Sequence, residues 1–290
     1  MERPLTPSRR GAFTLLELLV AMAVVSIFVV IAVELAAATL KRAEGVNSKL
    51  RANMQARVVM DWLARDLQTS LVRRDGGEWL RMEPTNLAVG SLSLPMSRLM
   101  LFSQAGELHL SSAGSTTVTN SGPAAVSYET DYCDPITLQA NRWNTTALFR
   151  VTVEPQETFD NGFAAQTPYN LADDFWDSLP TGVGQREAQH LLIQNIAGFE
   201  IAFEFTTNGP TTIKSDPNWI FSAGVDGNVR AGNTTYPGAT VLSAEVTLWL
   251  LEPEGARALR RAAEGASVTT ADFLAKYAHP FVRKIPLQTQ

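Results

Sequence analysis

Cysteine is almost missing from this chain: Cys133 is the single one among 290 residues. No intramolecular disulfide and no paired-cysteine metal knuckle can form, so stability has to come from core packing. Cys133 reads as a free buried thiol, with no base beside it in the sequence to activate it. Histidine is scarce too. His109, His190 and His279 are the only three, and they fall in no metal-ligand spacing. The chain has no G-x-S-x-G elbow, no phosphate-binding P-loop and no strand–G-x-G-x-x-G–helix unit. Nor is there a surplus of positive charge: the formal net charge is −5, against the basic face a nucleic-acid binder carries. An enzyme is not expected, and no nucleic-acid partner is expected.

Long hydrophobic runs are absent except at one place. Phe13 to Val33 reads FTLLELLVAMAVVSIFVVIAV, 21 residues. As a helix that is roughly 31 Å, about one bilayer core. The segment before it, MERPLTPSRRGA, sets Arg3, Arg9 and Arg10 against Glu2. That bias holds the amino terminus in the cytoplasm and sends the remainder to the periplasmic side. Glu17 is the anomaly. A carboxylate at hydrocarbon depth costs on the order of 2.5–3.5 kcal/mol or more, so it asks for a function. Glu34 closes the run, where an acid at the outer interface costs little. A secretory signal peptide and a plain single-span anchor also begin with basic residues and an apolar run. Neither calls for Phe-Thr-Leu-Leu-Glu at the junction of charge and hydrocarbon.

Ala12-Phe13-Thr14-Leu15-Leu16-Glu17-Leu18-Leu19-Val20 resembles the cleavage and methylation segment of type IV prepilins and type II secretion pseudopilins. The resemblance implies a leader cut between Ala12 and Phe13, N-methylation of Phe13, and Glu17 at position five of the mature chain. The residue before the cut is usually Gly in that family; here Gly11 stands one position early and Ala12 takes the place. A cut after Gly11 would move Glu17 to position six. Cleavage creates a cationic amine. A carboxylate one turn along can offset that charge on a neighbouring subunit, so that the two share a desolvation cost neither bears alone. Loss of a leader of net charge +2 leaves the mature chain near −7.

The helical pattern continues past the span. From Leu35 to about Thr69 there is no proline and one glycine, Gly45. Leu50, Met54, Val58 and Trp62 recur at intervals of four, as do Val59, Leu63, Leu67 and Leu71, with Arg51, Arg57, Asp61, Arg65 and Asp66 between them. One helix is predicted from about 13 to about 70, its second half laying an apolar stripe on a sheet. It ends at the polar turn Arg73-Arg74-Asp75-Gly76-Gly77. Strands are predicted at Leu99–Ser103, Glu107–Leu110, Val126–Thr130, Ala147–Glu154, Phe199–Phe205 and Val241–Leu251, with antiparallel pairing because helices do not separate most of them. Pro155–Arg186 and Thr206–Gly238 read as long polar loops. Helices are predicted at Pro253–Ala263 and Thr270–Tyr277. The expected fold class is α+β: a long N-terminal helix, its first half spanning the membrane, packed on an antiparallel sheet. The expected divisions are 1–12 leader, 13–34 membrane half, 35–70 periplasmic half, and 71–290 globular domain.

The body also resembles the J-type minor pseudopilin of type II secretion. The similarity lies in Gln55-Ala56-Arg57 and Leu63-Ala64-Arg65-Asp66-Leu67, in Leu191 to Phe199 (LLIQNIAGF), and in Trp219 followed by the late strand Val241–Leu251. Through its leader and Leu99-Met100-Leu101-Phe102-Ser103-Gln104 the chain is similar to the pilin-like Verru_Chthon cassette protein C family. These resemblances imply a filament subunit at or near a tip. Its partners would be prepilin peptidase, other pilin or pseudopilin subunits and an inner-membrane assembly platform. A second function class stays open, a tip-borne binding module such as an adhesin or a DNA-uptake subunit, carried by the long loops.

Asp173, Asp174 and Asp177 lie in an acidic, aromatic loop with Phe175 and Trp176. Three carboxylates there could bind calcium, which takes six to eight oxygen ligands. The spacing is not that of an EF-hand, and a solvated acidic loop is the plainer reading; no other cofactor is expected. Asp226-Gly227-Asn228 reads as a turn. Trp143, Trp176 and Trp219 sit in polar loops, as core plugs or as partner contacts.

Overall fold

In the computed structural model the described residues are 15–73, 76–104, 122–141, 143–163, 171, 175–176, 179, 186–207 and 211–287. Helix α1 runs Leu15–Gln68 and continues through Gly45. The chain divides into two compact units, Met1–Leu50 and Arg51–Gln290. In the first, Leu15–Leu40 is long and apolar enough to cross a membrane by length and composition. Every side chain from Leu15 to Leu40 is exposed.

In the second unit α1 buries one face. Ala56, Val59, Met60, Leu63, Ala64 and Leu67 enter the core, at the three- and four-residue spacings that line up along a helix. Each large side chain so buried is worth about 1.5–3 kcal/mol. Of the other expected row, Leu50, Met54 and Val58 are more than half exposed and Trp62 is partly buried. Its intervals of four were right for a helix, but it lies off the buried face.

Two antiparallel sheets make up the rest. The larger joins β1 (Leu80–Val89), β2 (Leu92–Ser103), β3 (Ala124–Cys133), β4 (Thr145–Thr152) and β5 (Leu191–Gln194). It is extended by β8 (Phe221–Ala223), β9 (Val229–Ala231) and β10 (Thr234–Tyr236), in the order β10-β9-β8-β1-β2-β3-β4-β5. The smaller has the order β12-β11-β6-β7, from β6 (Ile196–Thr206), β7 (Thr212–Lys214), β11 (Thr240–Leu251) and β12 (Ala278–Pro286). A short helix α2 (Pro155–Thr158) and a π-turn (Phe159–Phe163) follow β4. Helices α3 (Pro253–Ala263) and α4 (Thr270–Tyr277) lie between β11 and β12.

The register gives the two sheets two common ends. At one, Leu80 pairs with Leu101 and Ala223, β11 begins, and Leu287 follows β12. At the other, the β1–β2 hairpin turns, Cys133 pairs with Thr145, and Asn195 donates to the Thr146 carbonyl at the start of β6. Helix α3 closes this second end. Gly90 in the hairpin has φ +58, and a Cβ there would collide with the Ala262 carbonyl, so only glycine lets α3 approach. Pro253 opens α3, with Glu254 in its first turn and Arg260 and Arg261 in its last, matching the helix dipole. Thr269 caps α4, its hydroxyl accepting from the Asp272 amide at 3.2 Å.

Two prolines explain why β1 escaped the sequence reading. Pro84 and Pro95 argue against strands. However, β8 pairs only with Leu80 to Met82 of β1, and β3 only with Leu99 to Ser103 of β2. Both prolines therefore sit where the strand has a single neighbour.

Candidate functional site

Glu17 stands in the first turn of α1 as described, inside the apolar segment. Ala12 and Phe13 lie outside the described residues, as do Asp173, Asp174, Asp177 and His109. Among the described residues no group of three or more His, Cys, Asp or Glu is placed to hold a metal.

Further along α1, Asp66 is fully buried beneath the sheet. Arg150 of β4 grips it with two hydrogen bonds, Nε to Oδ2 at 2.7 Å and Nη2 to Oδ1 at 3.0 Å. Tyr128 of β3 donates its hydroxyl to Oδ2 at 2.5 Å. The Arg150 guanidinium also lies 5.0 Å from the centre of the Trp62 ring. Burial, and then the Asp66 carboxylate, push the Tyr128 hydroxyl well above its usual range, so it stays protonated and donates. A buried pair of this kind is expensive to break from one side. It ties α1 to β3 and β4.

This lock was not foreseen. Leu148 and Arg150 share a parity in Ala147–Glu154, so a guanidinium on the inward side of an alternating strand was the available signal. Its partner could be found only from the fold, because Asp66 is 84 residues away.

A second buried acid, Glu78, accepts from the Leu171 amide at 2.6 Å and pairs with Arg81 at 3.3 Å. Burial raises its carboxyl above the ordinary range despite those partners. On the opposite face of the larger sheet, Phe175 packs edge-on against Phe102 at 5.5 Å and against Trp176 at 5.3 Å. The aromatic pair of the acidic loop is thus a plug, with Phe175 fully buried. The other two tryptophans correct the plug reading: Trp143 is 57% exposed and Trp219 52%. Both described histidines have partners within the chain. His190 Nδ1 accepts from the Glu187 amide, and His279 pairs with Glu252 at 2.6 Å. Cys133 is buried, as expected. Asp226 to Asn228 forms a tight turn, with Asp226 at φ +54.

Comparison with known proteins adds to this geometry. The family profile described as the prokaryotic N-terminal methylation motif matches residues 7–33. The matched segment overlaps the apolar part of α1, which by length and composition suits a membrane span. That helix leads into two antiparallel sheets, an α+β arrangement. Among solved structures the chain is similar to a type IV-like pilin from Thermus thermophilus, with 12% identity and a TM-score of 0.34. That likeness covers 82% of this chain and 97% of the other. No curated protein matches the chain.

Proposed function

We propose that this chain is a structural subunit of a type IV pilus-like filament, serving as a minor pseudopilin of a type II secretion-like system in initiation or at the tip. The observation that carries the reading is Glu17, a carboxylate in the first turn of an apolar helical segment that overlaps the methylation motif. Prepilin peptidase cuts between Ala12 and Phe13, and the Phe13 amine is methylated. The basic leader keeps that end cytoplasmic, and the β unit is periplasmic. On lateral insertion Glu17 meets the terminal amine of a neighbouring subunit, and each charge lowers the other's desolvation penalty.

N-terminal mass spectrometry of the mature protein is the direct test. A methylated Phe13 terminus is expected. A chain still starting at Met1 in cells with active prepilin peptidase overturns the reading. Glu17→Ala is expected to leave membrane insertion intact and to cut recovery in sheared filaments at least tenfold.

A further inference from the structure

The end of the sheets that α3 closes carries a cationic face beside two exposed apolar side chains. Arg257, Arg260 and Arg261 lie on the exposed side of α3, opposite the buried Gly255, Ala258, Leu259 and Ala262. Steps of three and four residues bring the three guanidiniums onto one face. Among the described residues none of the three has a carboxylate partner; Arg257 Nε donates to the Pro253 carbonyl at 3.3 Å. The acids nearest in sequence are Glu254 in the first turn and Glu264 after the last.

The loop from β3 to β4 stands at the same end. Asp134 braces it, accepting from the Ile136 amide at 3.1 Å, the Thr137 hydroxyl at 2.9 Å and the Asn141 side-chain amide at 2.7 Å. Asn141 Oδ1 in turn accepts from the Trp143 amide at 2.7 Å. Leu138 packs inward beside Cys133 and Phe149, whereas Ile136 is 79% exposed and Trp143 57%. The loop adjoins α3. Burial raises the pKa of the Tyr132 hydroxyl at the end of β3, and the next influences on it are the charges of Arg260 and Glu264.

Helix α1 enters the β unit from this side. Just past its last residue, at the other end of the sheets, the Thr69 and Ser103 hydroxyls are 2.8 Å apart. Going back along the helix, Asp66 meets Tyr128, opposite Leu99, and Asp61 meets Arg283 midway along β12. Arg51 lies roughly 15 Å further in the same direction. Residues 41–50 join it to Leu15–Leu40, the membrane segment of the proposed reading. By whatever path they run, ten residues reach at most about 36 Å. A surface on so short a tether meets its target at an effective concentration on the order of millimolar.

We infer that this end of the β unit rests on the bilayer that holds the span. Arg257, Arg260 and Arg261 bond anionic phospholipid headgroups, and Trp143 and Ile136 enter the interface. The partner is identified by chemistry and by tether. The planar fork of arginine pairs with phosphate oxygens, and an indole is at home at headgroup depth. Arginines beside the apolar groups are unlike the charge-depleted centre of a protein interface. In a chain of net charge −5 this local cationic face is what an anionic surface selects. This inference rests on the filament reading and adds a stage to it: the β unit lies on the membrane before insertion, and assembly lifts it off.

The test embeds the full chain in lipid discs and reads tryptophan emission. Phospholipids with brominated acyl chains quench an indole that reaches the headgroup–acyl boundary. The difference between the unaltered chain and Trp143→Phe isolates Trp143. In equimolar phosphatidylcholine and phosphatidylglycerol, bromination should cut the Trp143 emission at least twofold. The cut should be less than half as large in phosphatidylcholine alone, and likewise with Arg257→Gln, Arg260→Gln and Arg261→Gln combined. If that variant does not fold, high salt on the unaltered chain decides, because it screens the headgroup pairing. A Trp143 signal that bromination leaves unchanged overturns the inference. So does quenching that is equal in the two lipids, or indifferent to both arginine removal and salt. A chain that does not enter the discs fails the filament reading as well. One that enters, is cut before Phe13 in cells and shows no Trp143 quenching loses only this inference.

Discussion

One helix carries the same residue types in two opposite settings. From Leu15 to Leu40 the leucines, valines and isoleucines of α1 are all exposed. From Ala56 to Leu67 the apolar residues sit on one face and are nearly inaccessible. The first stretch is apolar all round, which a helix in water cannot sustain and a bilayer can. The second is amphipathic and is completed by its own sheets. The first stretch suits lipid or other helices; it carries two acids, Glu17 and Glu34, and on the proposed reading Glu17 serves assembly. In the second stretch the single buried acid already has its cation inside the same chain. Glu17 and Asp66 are both carboxylates on a largely apolar helix; the proposed reading gives the first to assembly, and the second is paired with Arg150 in the fold.

The sharpest way to break this comparison is at Arg150. Arg150→Met strands Asp66 without its cation, and a loss of about 3–5 kcal/mol is expected. Denaturant unfolding of the full chain in detergent measures it. Adding Asp66→Leu should recover much of the loss, because an apolar pair of similar volume is often nearly neutral. If the double variant is no more stable than Arg150→Met, the lock is not one unit.

Next in size comes the packing contrast. Leu63→Ala should cost about 2–5 kcal/mol, since Leu63 is fully buried. Leu19→Ala should shift the unfolding of the β unit by less than about 0.5 kcal/mol. Met54→Ser and Val58→Ser test the intermediate case. Both positions are exposed, so each should also stay below about 0.5 kcal/mol. A larger loss at either would mean that the exposed row is covered.

The sequence reading was strongest where a local pattern carried the chemistry. The motif around Glu17 was legible through its resemblance to prepilins, and α1, the strands Phe199–Phe205 and Val241–Leu251, and the helices Pro253–Ala263 and Thr270–Tyr277 through period and charge. It failed where partners are distant. Arg150 became meaningful only once Asp66 was placed beneath it. The strands β7 to β10 are three residues each, too short to show an alternation, and so passed for loop. Both rows of apolar residues on α1 have helical spacing, and only the fold decides which of them is buried.

The effect confined to the narrowest conditions concerns Cys133, a residue of the buried kind with a titratable group. Burial, and then the Asp131 carboxylate, push its thiol from 9.0 up to about 11. The folded chain therefore holds this proton more tightly than the unfolded chain does. Below about pH 9 both states keep it, and its contribution to stability is fully present. Between about 9 and 11 the unfolded state loses the proton first, so stability falls as pH rises. The decline attributable to Cys133 should be about 1–2 kcal/mol. Other groups titrate in the same range, so the quantity to measure is the difference in unfolding free energy between wild type and Cys133→Ala. That difference should be flat from pH 7 to about 9 and should then move in favour of the variant. A flat difference to pH 11 would mean that the thiol is no harder to ionise in the fold than in the open chain, and that this end of β3 is wetter than its packing implies.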